Sequence, residues 1–154
     1  MAEDLVAAFA QAAKRTFKDM FGIEAAESGS RELAGSEGHA WDLTGLVGIA
    51  GQAQGVVAIR LPQALVASLL ASSGVAAGGA EERRQLEGGL VGEMANIMAG
   101  AAVSAMSELQ IDIAPPVIVR GVNHQIGWPN IAPVVAVSFE SSAGGFEVDV
   151  CARH

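Results

Sequence analysis

Cysteine is almost missing from this chain of 154 residues: Cys151 stands alone, so neither an internal disulfide nor a thiolate-rich metal site can form, which fits a reducing compartment. Cations are scarce too. Nine Lys and Arg against 17 Asp and Glu leave a formal net charge of −8, which argues against a nucleic-acid groove or an anionic membrane surface, since both require clustered positive charge. No apolar stretch is long enough to span a bilayer before Gly, Glu or Ser interrupts it. The opening MAEDLVAAFAQAAKRTFKDMF puts acids before lysines, the reverse of a secretory signal, so a cytoplasmic protein without a targeting segment is expected.

Several chemistries lack their residues. Gly45, Gly48, Gly51 and Gly55 are not followed by the Lys-Ser/Thr of a phosphate loop, and no Gly-x-Ser-x-Gly elbow occurs. His39, His124 and His154 are scattered, so no metal cluster and no cofactor of the chain's own is expected. Cys151 falls on an expected terminal strand with no supporting motif and reads as inert. Trp41 and Trp128 are read as packing at a sheet edge.

What is present is 51% hydrophobic residues, enough for one continuous core, so residues 1–154 are expected to form a single domain. Leu5, Phe9, Ala13, Phe17 and Met20 recur at spacings of three and four, predicting an amphipathic helix over 3–21. Ser28 to Gly38 reads as a connection or an irregular edge. Runs 43–50 and 55–61, parted by Gly51, Gln52 and Ala53, predict a hairpin. Pro62 opens a short helix that stops at Gly74, and a charged start at Glu81 leads a long helix through about Glu108. Strands are expected at 117–120, 133–139 and 146–152, the last with Phe146, Val148 and Val150 inward and Glu147, Asp149 and Cys151 on a wet face. The fold class is α+β, a mainly antiparallel sheet with packed helices.

The long helix carries the functional signal. Leu86, Leu90, Val91, Met94, Ile97, Met98, Ala101 and Ala105 share one apolar arc that must be buried. Glu93 and Asn96 stand at the edge of the other side, where Gly89, Gly92, Ala99 and Gly100 add almost no bulk. Glycine within a helix costs about 0.5–1 kcal/mol relative to Ala, so three on one face call for a reason such as close approach by another backbone. On the residues alone, Glu93 and Asn96 are either a solvated helix edge or a polar site on a bare face.

Gly92-Glu93-Met94-Ala95-Asn96-Ile97-Met98-Ala99-Gly100, followed by Pro115-Pro116 and the strand Val117-Ile118-Val119-Arg120, resembles the CheC/CheX/FliY phosphatases of bacterial chemotaxis, and CheX within them. The resemblance extends to Phe21-Gly22-Ile23-Glu24 and to the hairpin Val47-Gly48-Ile49-Ala50-Gly51 to Gly55-Val56-Val57. It implies a CheC/CheX-like fold and removal of phosphate from the aspartyl-phosphate of a CheY-type response regulator. Asn96 would orient the attacking water and Glu93 would pair with the regulator's lysine. Mg²⁺ would come with the regulator, and a homodimer is implied. The family's Asp or Ser four residues before the Glu is Gly89 here, which keeps open a second reading: an inactive adaptor or dimerisation module on the same fold.

Overall fold

In the computed structural model, residues 2–33, 41–76 and 78–154 are described. Helix α1 (Ala2–Phe21) leads into strand β1 (Ala25–Glu32). The hairpin β2 (Leu43–Gly51) and β3 (Gln54–Leu61) precedes α2 (Gln63–Ser72) and α3 (Ala80–Ala105), and β4 (Ile111–Ile113), β5 (Val117–Arg120), β6 (Val135–Ser141) and β7 (Phe146–Arg153) complete the chain. The fold is α+β: one seven-stranded sheet in the order β1-β6-β7-β3-β2-β4, with β5 also on β2 and every pairing antiparallel.

Period-two alternation sends Val57, Ile59 and Leu61 of β3 and Phe146, Val148 and Val150 of β7 to one face, where α1 and α3 cover them. Phe17 of α1 stacks on Phe146 at 4.1 Å between ring centroids, and Phe146 stacks on Phe139 at 4.9 Å. Such a buried phenylalanine contributes on the order of 2 kcal/mol of transfer free energy, so this stack fixes α1 on the sheet.

The opposite face is not wet, contrary to the alternation-based expectation. Glu147 and Asp149 are 1% and 0% exposed, and Cys151 is equally buried. The segment 121–134 crosses this face, and hydrogen bonds from two arginines make the burial tolerable: Arg31 Nη1 donates to Glu147 Oε1 at 2.9 Å, and the buried Arg60 donates to Asp149 Oδ2 at 3.4 Å.

Three further differences bear on the site. Ser28–Glu32 is the irregular edge rather than a connection: it belongs to β1, an exposed edge strand with a register break between Glu27 and Gly29. The rest of that expected connection, 34–38, and His39 lie outside the described residues. Helix α3 stops at Ala105, three residues before the expected end, and β4 appears where only a connection was expected. β4 and β5 line the same edge of β2. Ile113 faces Ile49 and Val117 faces Leu46, so four steps on one strand match three on the other. The additional residue falls at Pro115–Pro116, a bulge where two residues without an N–H cost the ladder nothing.

Candidate functional site

Helix α3 is seated on the sheet by small residues. A Cβ on Gly45 of β2 would stand 2.9 Å from Ala95 Cβ and 3.2 Å from Val91 Cγ1, so glycine is what lets α3 lie this close. Its buried residues are Glu87, Val91, Met94, Ala95, Met98, Ala99 and Ala102. The buried stripe is therefore rotated from the expected arc toward the alanines. Close seating selects small side chains, and a tally of bulky ones points elsewhere. Ala99 is fully buried rather than on the open side, Leu86, Leu90 and Ala101 are half-buried, and Ala105 and Ile97 are exposed.

The helix is locked in that rotation by Glu87. Its Oε2 accepts from Gln63 Nε2 of α2 at 2.7 Å and its Oε1 from Arg120 Nη1 of β5 at 3.3 Å, while Arg120 Nη2 donates to the Arg84 carbonyl at 2.9 Å. A buried carboxylate held by two elements admits one orientation. That orientation turns Glu93 and Asn96 outward together, both exposed.

Glu93 and Asn96 form one wall of an open groove of about 520 Å³. Gly89 and Gly92 line it on the helix, and Ile113, Ala114, Pro115 and Pro116 form the facing wall. The proline bulge thus shapes the site. A Cβ on Gly92 would make ordinary contacts with Ile118 and Pro116, and one on Gly89 or Gly100 would meet nothing within 4 Å. Packing among the described residues does not require the last two glycines, so none of those residues makes the expected close approach. Chemically the wall offers a carboxylate and a carboxamide: one attracts a cation, the other can donate to and accept from water at once.

The other expected residues lie elsewhere. Cys151 is buried, its thiol donating to the Pro129 and Ala132 carbonyls at 3.4 Å, and burial pushes its pKa up. His124 is pinned under segment 121–134: Nδ1 lies 2.8 Å from the Gly121 carbonyl and Nε2 lies 2.6 Å from Thr44 Oγ1, which also accepts from Arg60 Nε at 3.2 Å. A carbonyl only accepts, so Nδ1 carries a hydrogen and donates it to Gly121. Beside it, burial first and then Glu147 push Asp149 up to about 9, against an opposing pull from Arg60. Two carboxylate oxygens there, Glu147 Oε2 and Asp149 Oδ1, have no hydrogen-bond partner, and a single proton held between them satisfies both. Thr44, Arg60, Glu147 and Asp149 are buried, and Arg60 Nη2 fastens the covering segment by donating to the His124 carbonyl at 3.2 Å. Among the described residues, no group of three or more His, Cys, Asp or Glu could hold a metal ion, and no helix is long and apolar enough to cross a membrane.

The same architecture occurs in solved chemotaxis proteins. The chain is similar to CheX of Vibrio vulnificus, with 26% identity and a TM-score of 0.83, and to CheX of Desulfovibrio desulfuricans, with 22% identity and a TM-score of 0.84. Each likeness covers 97% of this chain and 99% of the other. A chain of the CheX–CheY–BeF₃–Mg²⁺ complex from Borrelia burgdorferi is similar at 21% identity and a TM-score of 0.78, over 97% of both. No curated protein sequence matches. The chemotaxis phosphatase CheX family model matches residues 43–140, which run from β2 into β6 and include the whole groove. The chain belongs to the CheX family.

Proposed function

We propose that this chain removes the phosphoryl group from the aspartyl-phosphate of a CheY-type response regulator. The observation that carries this reading is the pair Glu93 and Asn96, turned outward on a helix face that the rest of the described chain leaves bare, beside the groove walled by Pro115 and Pro116. The Borrelia burgdorferi complex supports the kind of partner: BeF₃ on a carboxylate stands in for a phosphoryl group, and a CheX chain is solved there together with CheY.

In the proposed reaction Asn96 accepts a hydrogen bond from one water and directs its oxygen in line at phosphorus, opposite the aspartyl oxygen. The new P–O bond forms as the bond to the aspartate breaks. The aspartate leaves as a carboxylate, the water's proton goes to the released inorganic phosphate, and Glu93 holds the regulator's lysine in place by a charge-assisted hydrogen bond. Such a loose transition state needs positioning and charge neutralisation more than a nucleophilic side chain, and the regulator's Mg²⁺ supplies the neutralisation. The chain needs no cofactor of its own in this scheme.

The same proposal places the protein in the cytoplasm as a single domain over residues 1–154, and as a homodimer joined through the sheet. Strand β1 ends the sheet among the described residues, an edge that a second copy can extend. Gly89, which puts no side chain where the family carries Asp or Ser, favours a second reading in which the chain binds a regulator without accelerating hydrolysis.

The test follows phosphate loss from a Mg²⁺-bound, acetyl-phosphate-charged regulator with wild type, Asn96→Ala and Glu93→Ala in parallel. Acceleration of about tenfold by wild type, abolished in Asn96→Ala, corresponds to about 1.4 kcal/mol of barrier lowering that depends on one side chain. Equal rates for all three and for the regulator alone, across several regulators, would remove catalysis and leave the adaptor.

A further inference from the structure

Ile97 of α3 is partly open to solvent beside Asn96. It is 37% exposed, and among the described residues only Val75, Val117 and Val122 are exposed large hydrophobics beside it. Of these four, Ile97 alone lies on α3. Its apolar neighbours along the helix, Leu90 and Ala101, are less exposed and pack against the core. It follows Asn96 directly and comes four residues after Glu93, so on a helix turning about 100° per residue it lies about 40° past Glu93, on the side away from the groove. Gly100, three residues on, leaves open space where a side chain would shield it. Helix propensity does not favour Ile here, because a β-branched residue is a poorer helix former than Ala, Glu or Lys.

We propose that Ile97 is the apolar anchor that seats the response regulator on α3, setting affinity and choice of regulator rather than the rate of the chemical step. This assignment rests on the phosphatase reading, which brings one occupant, the phosphorylated regulator, onto this face. Interfaces draw affinity from a few apolar side chains that become fully desolvated, whereas exposed polar contacts such as that of Glu93 contribute mostly orientation and encounter rate. Asn96 and Glu93 alone would give a weak complex. Ile97 supplies the adjacent dry contact, and its place fixes what the partner must offer: an apolar patch about 6 Å, one helical turn, from the lysine that Glu93 engages. A regulator with a charged side chain there is rejected, because that charge would be desolvated without a partner.

The test titrates wild type, Ile97→Ala, Ile97→Leu and Asn96→Ala with a Mg²⁺- and beryllofluoride-activated regulator, and measures KM and kcat for the phosphorylated form. Equal thermal melts establish that the variants fold. Ile97→Ala is expected to raise Kd and KM about tenfold, with the loss in KM and not in kcat, while Ile97→Leu stays within about threefold of wild type. Asn96→Ala loses kcat instead. An unchanged Kd in Ile97→Ala, or a loss confined to kcat, overturns the anchor while an active wild type leaves the phosphatase reading intact. If wild type neither binds nor dephosphorylates any regulator, that reading fails and the anchor falls with it.

Discussion

Asp149 is buried on the segment-covered face of the sheet and faces Glu147 from its own strand and Arg60 from β3, with Thr44 and His124 at the far side of Arg60 and Arg31 at the far side of Glu147. Its pKa of about 9 means that the folded chain keeps a proton which the unfolded chain releases near the ordinary aspartate value of 3.8. The folded state therefore binds more protons throughout the interval between those values. Stability must fall as pH rises across it, by about 1.4 kcal/mol per pH unit, and level off above the upper value. From pH 6 to 8 the loss is about 3 kcal/mol, a large share of the stability of a domain this size.

Asp149→Asn isolates the effect. An asparagine amide donates to the orphaned Glu147 Oε2, and its carbonyl accepts from Arg60, so both contacts of a neutral aspartic acid survive without a titrating proton. Urea unfolding of both proteins at pH 6, 7 and 8 should give converging values at low pH and a variant about 3 kcal/mol less pH-sensitive over that range. Parallel curves, with the variant lower by about 3 kcal/mol at every pH, would refute the argument: they would mean an ionised Asp149 whose pairing with Arg60 has been broken.

Gly45→Val forces a side chain into Ala95 and Val91 and should cost about 1–3 kcal/mol in denaturant unfolding, with phosphatase activity falling further than the folded fraction because α3 shifts. Arg120→Ala leaves the buried Glu87 with Gln63 alone and should lower stability by about 3 kcal/mol, while a double-mutant cycle with Glu87→Gln should show coupling between the two positions. Gly100→Ala should raise stability by about 0.5–1 kcal/mol, since a methyl meets open space there, yet slow dephosphorylation by keeping the regulator off the helix; faster turnover would contradict the docking face.

The elements whose pattern comes from their own packing were legible in the sequence: α1, the β2–β3 hairpin, α2, and strands β5, β6 and β7 fall within a few residues of expectation. Misreadings arose where a distant element decides the outcome. Alternation in β7 described one buried face correctly, but nothing local to Glu147 and Asp149 shows that segment 121–134 lies over them, or that Arg31 and Arg60, far away in sequence, make their burial tolerable. β1 carries Ser, Gly and charge because it is an edge, so it lacks the apolar alternation by which strands are recognised. β4 is too short to carry a period, and it forms because β2 has an edge to offer.

The site was legible through an inconsistency rather than a signal. Three glycines on one side of a helix contradict helix propensity, and they direct attention to Glu93 and Asn96 before any fold is known. Packing could have removed the contradiction, but a Cβ on Gly92 would make only ordinary contacts with Ile118 and Pro116. Gly89 and Gly100 each have room for a methyl that nothing in the described chain would touch. Ile97 was hidden by the same reasoning, since it fits an apolar arc drawn through the bulkiest residues. The helix buries its alanines instead, and that rotation turns Ile97 outward beside Asn96. The buried alanines answer to the helix's own sheet, whereas the open Gly100 and the partly exposed Ile97 beside Asn96 are what the proposed docking of a regulator would use.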